Sequence, residues 1–385
     1  MAVEGGLALR AVWDGRAVQR VEIRSGRPLE ASRLLRGMTP QQAVDTVPML
    51  FSLCGRAQTV AALLATEAAR GETPGEPALH ARKLLVGAEI AQEYLWRLLV
   101  DWPELLGQQA QWPLLAEARR RLGEVSARLL AGGEWKRADG SPPSAAEPGA
   151  RGGYLEALLE RHVLGIAPPA WAEIADRAGL ARWAGGADAA AARCCARLLD
   201  GEGDFGRSPV GFTPLADEEW LMMIAAEMGK TPGYPARPAW RGRPLETGAL
   251  ARTLRVPLVA DLHARSGNSV LTRFAARVVE LVSLVAGRER SAGRLGALAP
   301  APGCGLGWVE TARGLLLHRV EIEGGRVLRY AVLAPTEWNF HPDGALARGA
   351  REIRAGDPGE VRRRLSFLVQ ALDPCVSWEM EVCRA

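Results

Sequence analysis

The chain contains no Cys-x-x-Cys pair, so local spacing can build neither a zinc ribbon nor a thioredoxin-like dithiol. It also lacks His-Glu-x-x-His, a glycine-rich phosphate loop and a Gly-x-Ser-x-Gly elbow, which removes the usual signatures of zinc hydrolases, nucleotide binders and serine hydrolases. No run approaches the roughly 18 apolar residues needed to span a bilayer. The opening Met-Ala-Val-Glu-Gly-Gly has no basic region followed by an apolar one, so no signal peptide is expected. Six cysteines in 385 residues, without a regular framework, fit a reducing compartment. These absences predict a cytoplasmic protein with no membrane insertion. Aromatic residues are few apart from 12 Trp, which leaves little for stacking bases. Basic and acidic residues, 48 against 44, are well mixed. The two tight basic clusters, Arg119-Arg120-Arg121 and Arg362-Arg363-Arg364, lie in amphipathic helical patterns and read as solvated faces, so no nucleic-acid partner is expected.

What is present is mostly helical. Residues 7–13 and 17–23 flank Asp14-Gly15-Arg16, a strong hairpin signal. Thr39, Pro40 and Gln42 form a capping box with proline at the first helical position. The helical pattern that follows runs on through LFSLCGRAQTVAALLATEAA, with a kink expected at Pro48. Further helices are predicted over about 77–102, 113–131, 154–163, 170–182, 188–199, 216–228 and 268–288. Residues 132–153, rich in Gly, Pro and Ala, read as a flexible loop, and 203–215 and 231–244 look irregular. A second hairpin, 315–322 with 326–333, turns at Glu323-Gly324-Gly325. Asp357-Pro358-Gly359-Glu360 starts a last helix that must stop before Pro374. The fold class predicted is α+β, predominantly helical, with small β-hairpins near both ends and one domain over residues 1–385.

Longer strings carry a resemblance. Residues 307–344, GWVETARGLLLHRVEIEGGRVLRYAVLAPTEWNFHPDG, resemble the [NiFe]-hydrogenase large-subunit stretch built on E-A-P-R-G, a downstream His, a β-hairpin and V-P-T-T-W-N. Residues 238–254, PAWRGRPLETGALARTL, resemble P-R-[WY]-x-G-x-x-x-E-V-G-P-L-A-R. Asp373-Pro374-Cys375 resembles D-P-C-x-x-C-x-x-H, and LLRGMTPQQAVDTVPMLFSLCGRAQ, with Cys54-Gly55, is similar to the region around R-I-C-G-x-C. Val3-Glu4-Gly5-Gly6-Leu7 is similar to the opening I-E-G-H-L. The likeness touches both ends and the middle, with a divergent stretch over roughly 105–230.

In that family two Cys-x-x-Cys pairs hold nickel and iron, the first cysteine of each on nickel and the second bridging both metals. Bridging thiolates suit two soft metals held close together. Here Cys54 and Cys375 keep the first positions, while Ala57 and Trp378 stand at the second. Alanine ligates nothing, and indole offers no lone pair to a metal. Ser52 replaces the arginine before the first cysteine, and Glu381 the final His. A normal nickel–iron centre is therefore not expected, nor is hydrogenase activity. The resemblance implies pocket roles for Arg313, Thr336 and Asp373: the arginine above the metals, the threonine toward a cyanide on iron, the aspartate lining the cavity. Guanidinium and hydroxyl donors suit an anionic, cyanide-bearing iron.

Accessory proteins of the HupK/HoxV type share this combination. The resemblance implies a maturation scaffold that transiently holds an Fe(CN)2(CO) fragment, without nickel, and passes it to the apo large subunit. Its partners would be maturation chaperones of the HypC/HypD type and that subunit. A metal-free mimic of the large subunit, occupying its chaperones, is the alternative. Read without the resemblance, Cys54 is an inert thiol in an apolar helix, Arg313 a surface arginine, and Thr336 a helix cap. The five scattered histidines, His318 among them, read as satisfied polar groups. Cys194-Cys195 reads as core packing, and Cys383 as a spare thiolate near Cys375.

Overall fold

The computed structural model describes residues 5–27, 29–141, 149–286 and 294–385. Val3, Glu4, the centre of the expected loop at 142–148 and the helix end at 287–288 lie outside the described residues. The N-terminal hairpin forms as β1 (Gly6–Trp13) and β2 (Val18–Ser25), and Asp14 Oδ1 accepts the Arg16 and Ala17 N–H groups across its turn, each at 2.8 Å. The Thr39 capping box opens α1 (Pro40–Leu50) as expected. The chain then departs from one long helix. A turn of 3-10 helix at Ser52–Cys54 separates α1 from α2 (Gly55–Ala69), and the two are bent by 104°. The break therefore falls after Leu50 and not at Pro48, and Cys54 becomes the residue that enters α2.

The bend exists because α2 is buried along nearly its whole length against a sheet. Four strands, β5 (Leu295–Ala301), β6 (Cys304–Thr311), β7 (Gly314–Glu323) and β8 (Arg326–Leu333), form an antiparallel meander beyond two short strands, β3 (Gly211–Phe212) and β4 (Leu245–Glu246). Backbone contact between α2 and β6 needs glycine. A Cβ on Gly305 would stand 1.9 Å from the Ala65 carbonyl oxygen, and one on Gly307 2.2 Å from that of Ala61. The sequence reading found only the β7–β8 hairpin, because β5 and β6 carry the glycines and prolines that usually mark loops.

On the other side of α2 lies α3 (Glu76–Trp96), and the helices Trp112–Leu130 and Val270–Val285 complete the packing. The expected break-free helix at 77–102 instead passes through a π turn at Arg97–Asp101. Trp102 stacks on Phe367 and meets Phe274 edge-on, at 6.1 and 5.1 Å between centroids. Two helices without a sequence signal, Ala249–Thr253 and Pro257–Ser266, precede Val270–Val285, and the described ends of the expected 132–153 loop are partly helical.

The last helix, Pro358–Leu372, is capped by Asp357, whose carboxylate accepts the Gly359 and Glu360 N–H groups at 2.8 and 3.0 Å. It ends at Asp373, which adopts the left-handed conformation (φ 53°) ahead of Pro374. β9 (Ser377–Arg384) then runs parallel to β1, giving the sheet order β2-β1-β9. That pairing draws the C-terminal cysteine segment to the N-terminal half of the chain.

Candidate functional site

Cys54 and Cys375 line the same small cavity, about 30 Å³ in volume, together with Arg27, Gln58 and Glu337. Cys54 is placed by the turn between α1 and α2, and Cys375 by the exit from the last helix. Neither second-cysteine position lines that cavity. Ala57 is fully buried in the first turn of α2, and Trp378 sits in β9 opposite Leu7. Cys54 supplies no side-chain cap to α2. Glu89 of α3 does so from the side, accepting the Arg56 and Ala57 N–H groups at 2.9 and 3.1 Å. Burial lifts the Glu89 carboxyl to about 7 even against those two bonds. Enclosure, then Glu89 and Cys375, push the Cys54 thiol up to about 12, with Arg313 acting in the opposite direction.

Each sulfur accepts one hydrogen bond. Thr336 Oγ1 donates to Cys375 Sγ at 3.0 Å while accepting the Cys375 N–H at 3.2 Å. Thr336 does not cap its helix, Pro335–Asn339, whose N-cap is Ala334. Gln58 Nε2 donates to Cys54 Sγ at 3.5 Å. The Arg27 side chain is buried and donates from Nη1 to Glu337 Oε1 at 2.7 Å. Burial works against its charge, but Cys375, Glu337 and Cys54 raise its pKa.

Arg313 and Asp373 are also buried, yet they line a second small cavity with Arg273 and Arg277. Arg313 Nη2 holds Glu93 at 2.6 Å, and its Nε lies 3.4 Å from Asp373 Oδ1. Arg97 grips the same Oδ1 at 2.8 Å from Nη2 and 2.9 Å from Nε. Burial would raise the Asp373 pKa, but Arg97, Arg313 and Arg277 hold it at about 2. Of the five residues singled out from sequence, Cys54, Cys375 and Thr336 thus form one constellation and Arg313 with Asp373 another. The charge of Arg313 still reaches both cysteines.

Sequence reasoning missed Arg27, Gln58, Glu89 and Glu337. Gln58 lies one helical turn after Cys54, a legible spacing once α2 is known to begin at Gly55. Glu337 adjoins Thr336, but Arg27 and Glu89 arrive from distant segments and leave no local signal. The other cysteines are placed elsewhere. Cys194 and Cys195 are buried in the helix Ala190–Arg197, and Cys383 accepts a bond from Arg10 Nε at 3.4 Å on β9. Among the described residues no group of three or more His, Cys, Asp or Glu side chains is placed to hold a metal ion. Nor is any single helix long and apolar enough to cross a membrane.

A helical body carrying this sheet, with the two cysteine segments brought to one cavity, is the fold of the [NiFe] and [NiFeSe] hydrogenase large subunit. The chain superposes on the [NiFeSe] hydrogenase of D. vulgaris Hildenborough with a TM-score of 0.57, covering 94% of each chain at 19% identity. On that of Dm. baculatum the TM-score is 0.59, again over 94% of each chain, at 16% identity. No protein-family model matches the sequence. Whole-length relatives do: the hydrogenase expression/formation protein HoxV of Cupriavidus necator is 37% identical over 92% of this chain and 91% of its own. HupK of Rhizobium leguminosarum bv. viciae, of the same description, is 32% identical over 95% and 93%. The chain belongs to this HoxV/HupK family of hydrogenase expression/formation proteins, large-subunit-like proteins of hydrogenase maturation.

Proposed function

We propose that the protein is a maturation scaffold, not an enzyme, that accepts an Fe(CN)2(CO) fragment and hands it to the apo large subunit of a [NiFe] hydrogenase. One observation supports this above the rest: Cys54 and Cys375 line one cavity, each sulfur already carries a hydrogen-bond donor, and a buried guanidinium, Arg27, faces both. Iron(II) with two cyanides is neutral, so two thiolates leave two negative charges for Arg27 and the field of Arg313 to offset. Two protein sulfurs are half of what the bimetallic centre uses. Fewer metal–sulfur bonds to break favours hand-over. The maturation chaperones of the HypC/HypD type would deliver the fragment, and the apo large subunit would receive it.

A second reading rests on the size of the cavity. About 30 Å³ holds little more than a water molecule. Loading a carbonyl- and cyanide-bearing iron therefore calls for the cavity to widen. A metal-free mimic that only engages the chaperones needs no such movement. Complementation separates the two readings. A strain lacking the gene is supplied with the wild type, Cys54→Ala or Cys375→Ala, and mature hydrogenase is assayed. Loss of maturation in both variants supports the scaffold, and full maturation supports the mimic.

A further inference from the structure

The hydrogen bond on Cys54 is the end of a longer chain with a fixed direction. Gln58 is 2% exposed, and its two amide atoms face different partners. Nε2 points at Cys54 Sγ from 3.5 Å, and Oε1 lies 2.7 Å from His318 Nε2. An amide oxygen only accepts, so His318 must carry its proton on Nε2. Burial drives the His318 pKa down to about 3, so the ring is neutral and its Nδ1 must be an acceptor. Tyr330 OH, 2.7 Å from that Nδ1, supplies the proton. Every donor in the row Tyr330, His318, Gln58 therefore points toward the sulfur. A merely satisfied core histidine requires partners but no common direction.

Cys375 has a shorter version of the same device. Thr336 accepts the backbone N–H of Cys375, and so its own proton is left for the sulfur. In both cases the donor is oriented by protein groups and not by whatever the sulfur binds. A hydrogen bond to a thiolate draws electron density away from the metal–sulfur bond and changes the electronic state of the metal.

Resting on the scaffold reading above, we propose that Gln58, held by His318 and Tyr330, is a positioning residue that weakens the iron bond to Cys54 so that the fragment can be released. Stronger donation from an unbonded sulfur would push electrons through iron into the carbon monoxide and tighten the hold. Two measurements test this. In full-length apo-protein labelled with 15N-histidine, the ring signal lost in His318→Phe is expected to be protonated at Nε2; protonation at Nδ1 overturns the proposal. In protein purified anaerobically with the maturation machinery, Gln58→Met, similar in volume but without a donor, is expected to retain the fragment. Its carbon monoxide stretch should move to lower wavenumber, and transfer to the apo large subunit should slow. An unshifted stretch and unchanged transfer in a loaded variant overturn this inference alone. A wild-type protein without these bands overturns the scaffold reading and this inference with it. Should Gln58→Met fail to fold, Tyr330→Phe breaks the far end of the row, and the same shift, smaller, is expected; its absence overturns the proposal.

Discussion

Arg252→Met tests how the fold holds the arginine loop at the site. The Arg252 side chain is wholly buried, with Nε and Nη2 on Glu280 at 2.6 and 2.7 Å and Nη1 on Glu310 at 2.6 Å. Tyr94 joins the cluster through Glu280 and reaches the Ala312 carbonyl at 3.1 Å. This network ties ETGALAR to VETARG, and so fixes the loop that ends in Arg313. Methionine replaces the aliphatic stem but leaves two carboxylates facing each other in the core. Breaking a buried ion pair from one side costs about 3–5 kcal/mol, a large share of a total stability of about 5–15 kcal/mol. In the wild type, burial raises the Glu310 pKa and Arg252 opposes it. Without Arg252 the folded-state carboxyl pKa rises further above the unfolded value of about 4.3. The penalty is then larger at pH 7 and shrinks as the pH falls and the carboxyl takes up a proton. Urea unfolding at pH 7 and pH 5 reads both quantities. Arg252→Lys, which keeps the charge but not the fork, should lose less. A variant as stable as the wild type at pH 7, or a loss equally large at pH 5, refutes the reasoning.

His318 adds a pH dependence of its own. Its folded pKa of about 3 lies below the ordinary 6.5, so stability is full above 6.5 and falls as the unfolded state takes up a proton at lower pH. At about 1.4 kcal/mol per unit the full effect is on the order of 5 kcal/mol; His318→Phe, though less stable at pH 7, should show a flatter dependence of the urea midpoint between pH 7 and 5, and an unchanged slope contradicts this. Gly307→Ala should cost about 3 kcal/mol or more in the same assay because its methyl meets the α2 backbone. Gly324→Ala, with open space but φ of 55°, should cost only about 1–2 kcal/mol; equal losses would remove the close-approach argument. Asp357→Ala should lower stability by about 1 kcal/mol through the lost cap on the last helix, read as a fall in Tm.

Local chemistry made some of this fold legible. The Thr39 box, the Asp14-Gly15 turn, the glycine turn between β7 and β8 and the Asp357 start signal each act over a few residues, and each reads directly from the chain. The break at Phe51–Cys54 does not, because the apolar pattern continues across it. It is imposed from outside, by Glu89 capping α2 and by the β6 glycines that let α2 lie flat on the sheet. β9 is equally invisible, since its pairing with β1 joins the two ends of the chain. The same distinction governs the site. Cys54, Cys375 and Thr336 stand in strings whose resemblance to the large subunit marked them. Arg27 enters the cavity from beyond β2 with nothing in its neighbourhood to announce it. Arg313 is buried in the ETARG loop, and its guanidinium is taken up by Glu93 and Asp373, a partnership set by α3 and the last helix.

The infrared spectrum of the protein, purified anaerobically from cells expressing the maturation machinery, tests the central claim most directly. The scaffold account predicts carbon monoxide and cyanide stretches in the wild type that disappear in Cys54→Ala and in Cys375→Ala. A well-folded wild-type protein that co-purifies with its chaperones but has no such bands would contradict it.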